Sequence, residues 1–293
     1  MTTREVVFRS NPNKDFLRRG YDTEHVARWF RNLGQPLKYL GLPAWEMLDI
    51  LQWEKYLSRF TTIEREENQQ HLMFLRANVK DIEHRLHSLY GEFDRILLDG
   101  FDQYGKSPDW PYQLVNLDYF GGLLYSDFSR PHAIQKLIRN QAVYKSSFLL
   151  IVTQHIRDGD TVGEKLSFLE DLRRSLRNAT LDQRARKAVD QIMDWYRDAN
   201  TPDAARQSLY LNTLLRDAGE ANYFDVTCRP AILYGGTGGA VMLHFVTDFT
   251  FRPGIGHKVA SSQSIVDVIS FAIREVQEGT RIRDRLVPPN IRP

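Results

Sequence analysis

The sequence lacks several features that would assign the protein to a class. The 293-residue chain contains a single cysteine, Cys228, which excludes an internal disulfide and a metal site made of cysteines alone. So little cysteine is typical of a protein in a reducing compartment. The formal net charge is +2, so overall charge does not indicate a nucleic-acid partner. A basic contact surface would have to be a local patch.

Long apolar runs are also absent. No segment approaches the roughly 20 apolar residues of a membrane-spanning helix. The start, MTTREVVFRS, lacks the apolar core of a signal peptide, so we expect a cytoplasmic protein. The chain contains no HExxH, no Cys/His pair at metal spacing and no GxxxxGKS/T. Zinc proteolysis and P-loop hydrolysis therefore have no support.

What the sequence does contain is a regular alternation of apolar strands and amphipathic helices. Two further β-rich runs, 223–234 and 240–251, are joined by GGTGG and predict an antiparallel hairpin. The sequence therefore predicts an α/β fold, a doubly wound and mostly parallel sheet that ends in an antiparallel hairpin, with extra helices. The strands that alternate with helices are predicted at 37–42, 60–63, 85–90, 114–117 and 148–153.

The chain divides into three predicted parts. A basic helical arm at 1–35 precedes a main domain at 36–252, which carries a helical insertion at about 180–218. A C-terminal helix, predicted over 263–277, and a basic, proline-rich tail make up 253–293. The arm has two interpretations, a helix docked on the main domain or a basic segment that contacts a phosphate backbone.

The stretch YQLVNLDYFGGLLY at 112–125 is the main candidate for chemistry. In an open α/β sheet the ligand crevice lies beyond the carboxyl ends of the strands. Here a buried strand ends in Asp118, which is followed by Tyr119, Phe120 and a glycine pair. Asp118 either acts in the crevice or caps the glycine turn, and the aromatic rings either stack on a substrate or pack in the core. Alternation along the strand leaves the face of Asn116 open.

Glu64 is the second candidate. It ends the second predicted strand about twenty residues after the turn that follows the first, where a nucleotide-binding βαβ unit carries its ribose-binding acid. The alternative is an exposed charge, because Arg65, Glu66 and Glu67 beside it are typical of the start of a solvated helix.

The order of these elements resembles the class I S-adenosylmethionine-dependent methyltransferases, whose doubly wound sheet ends in a hairpin with the final strand antiparallel. The resemblance covers about 36–252 and lies in order and spacing. It implies S-adenosylmethionine as the cofactor. By position, the cofactor-binding residues of the family fall on Gly41, Leu42 and Pro43 in the first turn, on Glu64 for the ribose, and near Gly91 and Glu92 for the adenine.

The catalytic motif of that family falls on Asn116, Asp118, Tyr119 and Phe120. It resembles the acid-aromatic motif of amino methyltransferases, and the resemblance implies that Asp118, Asn116 and Tyr119 act on the acceptor. Two departures stand beside it. The turn after the first strand lacks the repeated glycines of the family, and the two prolines of the usual nucleic-acid motif are replaced by Tyr119 and Phe120.

Two functions remain open from the sequence. The first is methyl transfer from S-adenosylmethionine to a nitrogen or oxygen acceptor, which includes acceptors on nucleic acid. The second is a catalytically degenerate methyltransferase-like module that binds a protein or nucleic-acid partner. The missing glycines favour the second function. The spacing of Glu64 and the NLDYFGG stretch favour the first.

Three weaker candidates have simpler alternatives. His155 with Asp158 is either a general base or part of a surface loop. The GGTGG segment is predicted to be a hairpin tip, because no helix follows it to supply an anion-binding terminus. Cys228 lies in a predicted strand, away from the position where a nucleophilic cysteine would serve cytosine methylation.

Overall fold

The computed structural model describes residues 11–119, 121–122, 129–156, 183–198, 201–253, 273–277 and 279–286. Phe120, Asp158 and the predicted helical residues 263–272 lie outside the described residues. Within the described ranges the chain forms a ten-stranded mixed sheet with helices packed on both of its faces.

The strands follow the apolar runs of the sequence and extend some of them. They are β1 Leu37–Gly41, β2 Leu57–Glu64, β3 Leu86–Tyr90, β4 Leu114–Asp118, β5 Phe148–Ile156, β6 Phe224–Cys228, β7 Ala231–Gly235, β8 Val241–Phe251, β9 Ile273–Gln277 and β10 Arg281–Leu286. The sheet has the order β10-β9-β7-β8-β5-β4-β1-β2-β3, and β6 pairs with β8 beside this path.

The central strands β3-β2-β1-β4-β5 are all parallel, which is the arrangement of a doubly wound sheet. β8 lies antiparallel to β5, and β7 pairs antiparallel with β8. The predicted fold class, a class I methyltransferase-like α/β sheet that ends in an antiparallel hairpin, is therefore confirmed. The GGTGG segment is the tip of that hairpin and contains a short 3-10 turn, Thr237–Gly239.

The C-terminal helix predicted over 263–277 is wrong at 273–277, where β9 pairs with β7 in parallel. The basic, proline-rich tail, for which no strand was predicted, forms β10 at 281–286, and β10 pairs antiparallel with β9. Ile273 and Val276 have helical spacing, but they pack on opposite sides of the sheet. A strand that buries both faces cannot be distinguished from a short helix by apolar spacing alone.

The helices cover both faces of the sheet. Helix α2, Thr23–Leu33, ends at Gly34, which has the left-handed conformation with φ 64°. No helix in the described part of the chain is both long and apolar enough to cross a membrane. The helical segments are α1 Pro12–Phe16, a π-helical turn Leu17–Asp22, α2 Thr23–Leu33, α3 Leu48–Trp53, α4 Glu67–Val79, α5 Phe93–Asp99, α6 Ser129–Val143, α7 Gln183–Arg197 and α8 Asp203–Glu220.

The segment predicted as a helical insertion supplies part of the main core. Leu209 and Leu215 of α8 are fully buried and belong to the same apolar cluster as Ile134 and Ile138 of α6. Burial of a leucine side chain stabilises a fold by roughly 1.5–3 kcal/mol. Helix α8 is therefore part of the helical layer that packs on the sheet.

Strand β4 shows how the sheet divides two cores. Val115 and Leu117 pack against α5 and α6 on one side, and Leu114 packs on the other side with α2 and α3. Side chains alternate along a strand, so Asn116 and Asp118 lie on the side of Leu114. This places them beneath the N-terminal helices.

An ion cluster on β8 fixes those N-terminal helices to the sheet. Asp248 accepts hydrogen bonds from Arg28 at 2.8 Å, from the Trp29 indole at 2.6 Å and from Arg229 at 2.5 Å. Burial alone would raise the pKa of Asp248, but these hydrogen bonds and the two guanidinium charges hold it below its usual value. We call these four residues the anchor cluster. Through it α2, which belongs to the predicted basic arm, is attached to the sheet.

Candidate functional site

A cavity of about 140 Å³ lies at the carboxyl ends of β1, β4 and β5. Its walls are the turn after β1, the N-terminal segment 11–22 and the β7–β8 hairpin. The polar side chains that line it include Lys14, Arg18, Asp22, Asp49, Asn116, Asp118, Thr153 and His244. The main candidate stretch of the sequence thus ends at a cavity.

Sheet register brings Asp118, Thr153 and His244 together. Asp118 on β4 lies opposite Thr153 on β5, and Thr153 lies opposite His244 on β8. Neighbouring strands are roughly 4.8 Å apart, so these side chains form one continuous line. We call these three residues the edge row.

The segment 11–22, which we call the N-terminal cap, crosses the mouth of the cavity. The Asn11 side chain accepts from the backbone N–H of Asn13 and of Lys14 and so begins α1. The side-chain amides of Asn11 and Asn13 donate to the carbonyl of Gly235 on the hairpin, at 3.0 and 3.1 Å. These contacts place Lys14 over the edge row, where its ammonium group donates to Asp118.

Asn116 lies in the cavity wall and holds a buried carboxylate. Its amide nitrogen donates to Oδ2 of Asp49 on α3 at 2.6 Å, and the Tyr39 hydroxyl donates to the same oxygen at 2.6 Å. Burial and the Asp49 charge raise the pKa of Tyr39 well above its usual value, so Tyr39 stays a donor. The sequence left open on which side of the strand Asn116 lies, and the structure places it on the same side as Asp118.

Tyr119 lies away from the cavity. Its ring is buried in the opposite core, edge-on to Phe93 at 5.9 Å and beneath the Arg130 guanidinium at 4.8 Å. Its hydroxyl donates to Asp94 at 3.3 Å. The structure therefore brings Asp118 and Asn116 to the site and gives Tyr119 the core position that was its alternative.

Glu64 stands at the end of β2 with one oxygen engaged. Oε1 accepts from the backbone N–H of Arg65 at 2.9 Å and of Glu66 at 3.0 Å. No donor among the described residues is bonded to Oε2. Burial raises the pKa of Glu64. Glu92 is exposed, and its carboxylate forms an ion pair with the Arg65 guanidinium at 3.4 Å. Arg65 also donates its backbone N–H to Glu64, so this arginine lies between the two acids.

The turn after β1 is occupied on one side by the chain itself. A Cβ added at Gly41 would lie 2.1 Å from the Tyr39 hydroxyl and 2.7 Å from the backbone oxygen of Asn116. Leu42 donates its backbone N–H to that same oxygen at 3.2 Å, and Pro43 lines the cavity. Gly41 is therefore required by the packing of Tyr39, whatever else approaches the turn.

The polar groups of the site match the polar parts of S-adenosylmethionine. Lys14 can pair with its carboxylate, as can Arg18, which is also paired with Asp15 at 2.6 Å, and Asp49 or Asp118 can pair with its ammonium group. Glu64 is not among the described residues that line the cavity; it lies at the end of β2, where Oε2 can accept from ribose hydroxyls. The cavity of about 140 Å³ is smaller than the roughly 300 Å³ at which ligand pockets begin. With the N-terminal cap in this position, the cavity is therefore too small for the whole cofactor.

Several residues of the site have no counterpart in the sequence prediction: Lys14, Asp22, Asp49, Thr153 and His244. A weak signal for His244 was present, because His244 and Asp248 interrupt an otherwise apolar strand with the same parity. Elsewhere in the described chain, Asp81, Glu83 and His84 lie close enough to share a metal ion. All three are exposed, and surface acids commonly cluster in this way without an ion.

The comparisons with known proteins concern the fold. No protein-family model and no curated protein matches the sequence. Similar solved structures include the O-methyltransferase TomG from Streptomyces achromogenes in complex with its cofactor, at 13% identity, with 84% of this chain and 93% of that chain covered and a TM-score of 0.42. The methyltransferase domain of bacterial CtHen1-C has 12% identity, 82% and 99% coverage and a TM-score of 0.43.

A third similar structure is the S-adenosylmethionine-dependent methyltransferase from Agrobacterium tumefaciens, at 10% identity and a TM-score of 0.43. The alignment covers 80% of this chain and 62% of that one. All three similar structures are named as methyltransferases. The fold class of this chain rests on its own strand order.

Proposed function

We propose that the protein transfers a methyl group from S-adenosylmethionine to a nitrogen or oxygen acceptor. The edge row carries this proposal, because it places a carboxylate, a hydroxyl and an imidazole around a cavity at the crevice of a doubly wound sheet. Glu64 supports it by keeping one carboxylate oxygen available at the end of β2.

When bound, the cofactor supplies an electrophilic methyl group on a sulfonium sulfur. Glu64 would accept hydrogen bonds from the ribose, and Lys14 and Arg18 would hold the carboxylate of the amino-acid end. Asp118 would orient the acceptor for in-line attack. Because Lys14 is paired with Asp118, ligand binding exchanges this ion pair for contacts with the ligand.

The second candidate is a degenerate module that binds a protein or nucleic-acid partner through its surface. Two observations favour it: the small volume of the cavity and the filled space beside Gly41. A module of this kind would keep the N-terminal cap closed permanently. Its partner would contact the outer surface of the helices.

Calorimetric titration with S-adenosylmethionine and with S-adenosylhomocysteine separates the two candidates. We expect saturable binding of both, and a loss of about tenfold or more in affinity in Glu64→Gln, since a hydrogen bond to a charged group contributes roughly 1.5–3 kcal/mol. Glu66→Gln is the matched control, because this neighbouring side chain is 65% exposed and touches the site only through its backbone.

Absence of binding to the wild type would be examined further with Lys14→Ala, which releases the cap from Asp118. If neither protein gives heat, and neither melting temperature changes at millimolar ligand, methyl transfer is excluded and the partner-binding module takes its place.

A further inference from the structure

His244 lies at the centre of a buried hydrogen-bonded chain that opens on the cavity. Its Nε2 is 2.7 Å from Oδ1 of Asp22, and its Nδ1 is 2.9 Å from Oγ1 of Thr153. His244 is 3% exposed, and Asp22 and Thr153 are each 4% exposed. The three residues come from the π-helical turn, β5 and β8, and all three line the cavity.

The chemistry of the donors sets the direction of this chain. A carboxylate accepts hydrogen bonds, so Nε2 of His244 carries a proton and donates a hydrogen bond to Asp22. In the neutral imidazole, Nδ1 then has the lone pair and accepts the hydroxyl proton of Thr153. Both distances lie within the roughly 2.6–3.2 Å at which a general base acts. The chain therefore runs from a hydroxyl at the cavity wall to a buried carboxylate.

We propose that Thr153 and His244 form a proton relay for a hydroxyl acceptor, so that the product of the reaction is an O-methyl compound. This inference rests on the methyl transfer proposed above. A hydroxyl is a weak nucleophile until its proton leaves, whereas a neutral amine attacks with a lone pair that it already has. Thr153 lies opposite Asp118, so an acceptor oriented by Asp118 lies beside the Thr153 hydroxyl.

The acceptor O–H bond breaks as its proton moves to Oγ1 of Thr153, and the Thr153 proton moves to Nδ1 of His244. The acceptor oxygen uses the released electron pair to bond the methyl carbon. The electron pair of the broken C–S bond stays on the sulfur of the methyl donor. The imidazolium that results is paired with Asp22 until its proton returns to solvent.

The residues of the relay have different roles. Thr153 would touch the acceptor and is the catalytic residue, while Asp22 acts through the imidazole and is a positioning residue. The Tyr21 ring packs edge-on to His244 at 6.4 Å and shields it. Besides Asp22, the charged groups that share the cavity with the imidazole are Asp15, Lys14, Arg18, Glu46, Asp49 and Asp118. Tyr234 also lines the cavity, and its side chain is hydrogen-bonded to Thr153.

The protonation state of His244 is the first test, by NMR of isotope-labelled histidine in the full chain without ligand. We expect a proton on Nε2 and an unprotonated Nδ1 at neutral pH, and a shifted Nδ1 resonance in Thr153→Val. The exposed His132 on α6 is an internal reference whose signals stay unchanged. A proton on both ring nitrogens of His244 at neutral pH would overturn the proposal, because the relay would have no acceptor.

The second test uses para-nitrophenol, whose ionised form absorbs visible light. A cavity of roughly 150 Å³ holds one benzene ring. The ring of the probe can therefore occupy the cavity of about 140 Å³ while its nitro group lies at the mouth. We expect a larger ionised fraction for the bound probe than for the free probe in the same buffer. Thr153→Val and His244→Gln should lose this extra absorbance, and His132→Gln should keep it.

The relay is overturned if para-nitrophenol does not bind, if it binds without extra ionisation, or if Thr153→Val and His244→Gln ionise it as the wild type does. Neither test contains the methyl donor. A protein that ionises the probe but fails to bind S-adenosylmethionine or S-adenosylhomocysteine would keep the relay and lose methyl transfer. A protein that binds S-adenosylmethionine but does not ionise the probe would keep methyl transfer and lose the relay.

Discussion

Asp248 and Asp118 lie on the same side of the sheet, near different ends of β5. Asp248 is paired in register with Leu149 near the start of β5, and Asp118 with Thr153 nearer its end. The Asp248 side chain is 12% exposed and receives two guanidinium groups and an indole. The Asp118 side chain is 26% exposed and is paired with Lys14 beside a cavity. Asp248, which stabilises the fold, is surrounded by hydrogen-bond donors. Asp118 borders the cavity, where a ligand can reach it.

Both carboxylates hold the N-terminal segment, in different ways. The anchor cluster fixes α2 through buried contacts that water does not replace easily. The contact between Lys14 and Asp118 is partly exposed, and such pairs contribute only about 0–1 kcal/mol. The docking of this segment is thus divided between a strong attachment at one edge and an exchangeable one at the other. The predictions below test that division.

The largest expected effect is at the anchor cluster. Asp248→Ala leaves Arg28, Arg229 and the Trp29 indole without their acceptor and should lower the free energy of unfolding by about 3 kcal/mol. This is the lower end of the range for a broken buried ion pair, because both arginines retain contact with water. Chemical denaturation measures it. Asp225→Ala on β6, which breaks an exposed pair with Arg252, is the control and should cost less than about 1 kcal/mol.

A methyl group at Gly41 is the next largest change. Gly41→Ala should lower the free energy of unfolding by about 2 kcal/mol, because its Cβ would displace the Tyr39 hydroxyl from Asp49. Thermal unfolding measures the loss. Gly20→Ala is the control, since no atom lies within 4 Å of its added Cβ. Equal stability of the two variants would show that Tyr39 does not occupy the turn.

Removal of the site carboxylate should affect function and hardly affect the fold. Asp118→Ala should change the free energy of unfolding by less than about 1 kcal/mol, because Lys14 can turn to water. In an assay with an acceptor it should abolish methyl transfer. A variant as unstable as Asp248→Ala would place Asp118 with the anchors and remove the contrast.

The smallest effect is expected at Glu64. Burial raises the pKa of Glu64 above its ordinary value of 4.5, so the folded protein holds this proton more tightly than the unfolded chain. The free energy of unfolding therefore falls as the pH rises from 4.5 through the raised pKa. Glu64→Gln should lack this fall and be slightly more stable at neutral pH. A loss of stability there would instead make Glu64 a structural residue.

The parts of the fold that depend on local pattern were predictable. Strand β4, buried on both faces, has an apolar run in the sequence that is interrupted only by Asn116, and Asp118 marks its end. Glu64 likewise follows from the spacing of one βαβ unit. Strand β9 was not predictable, because a short segment whose apolar residues have mixed spacing fits a helix as well as a strand. Strand β10 has the sequence RIRDRL, whose many charges are typical of a solvated tail.

The edge row was beyond the reach of the sequence for another reason. Thr153 and His244 are neighbours only because β8 inserts between β5 and β7, and that order is decided by the packing of the complete sheet. Asp22 reaches His244 from the far end of the chain through a π-helical turn. No spacing rule connects these positions, so their chemistry becomes visible only in three dimensions.

The N-terminal cap has a consequence for the order of events during a reaction cycle. Lys14 covers Asp118 and Asp22 orients His244, and both belong to one continuous helical segment. If that segment moves as one body, a movement that uncovers Asp118 would also withdraw Asp22 from the imidazole. Entry of a ligand and assembly of the base would then be successive events, with the base complete only after the entrance has closed.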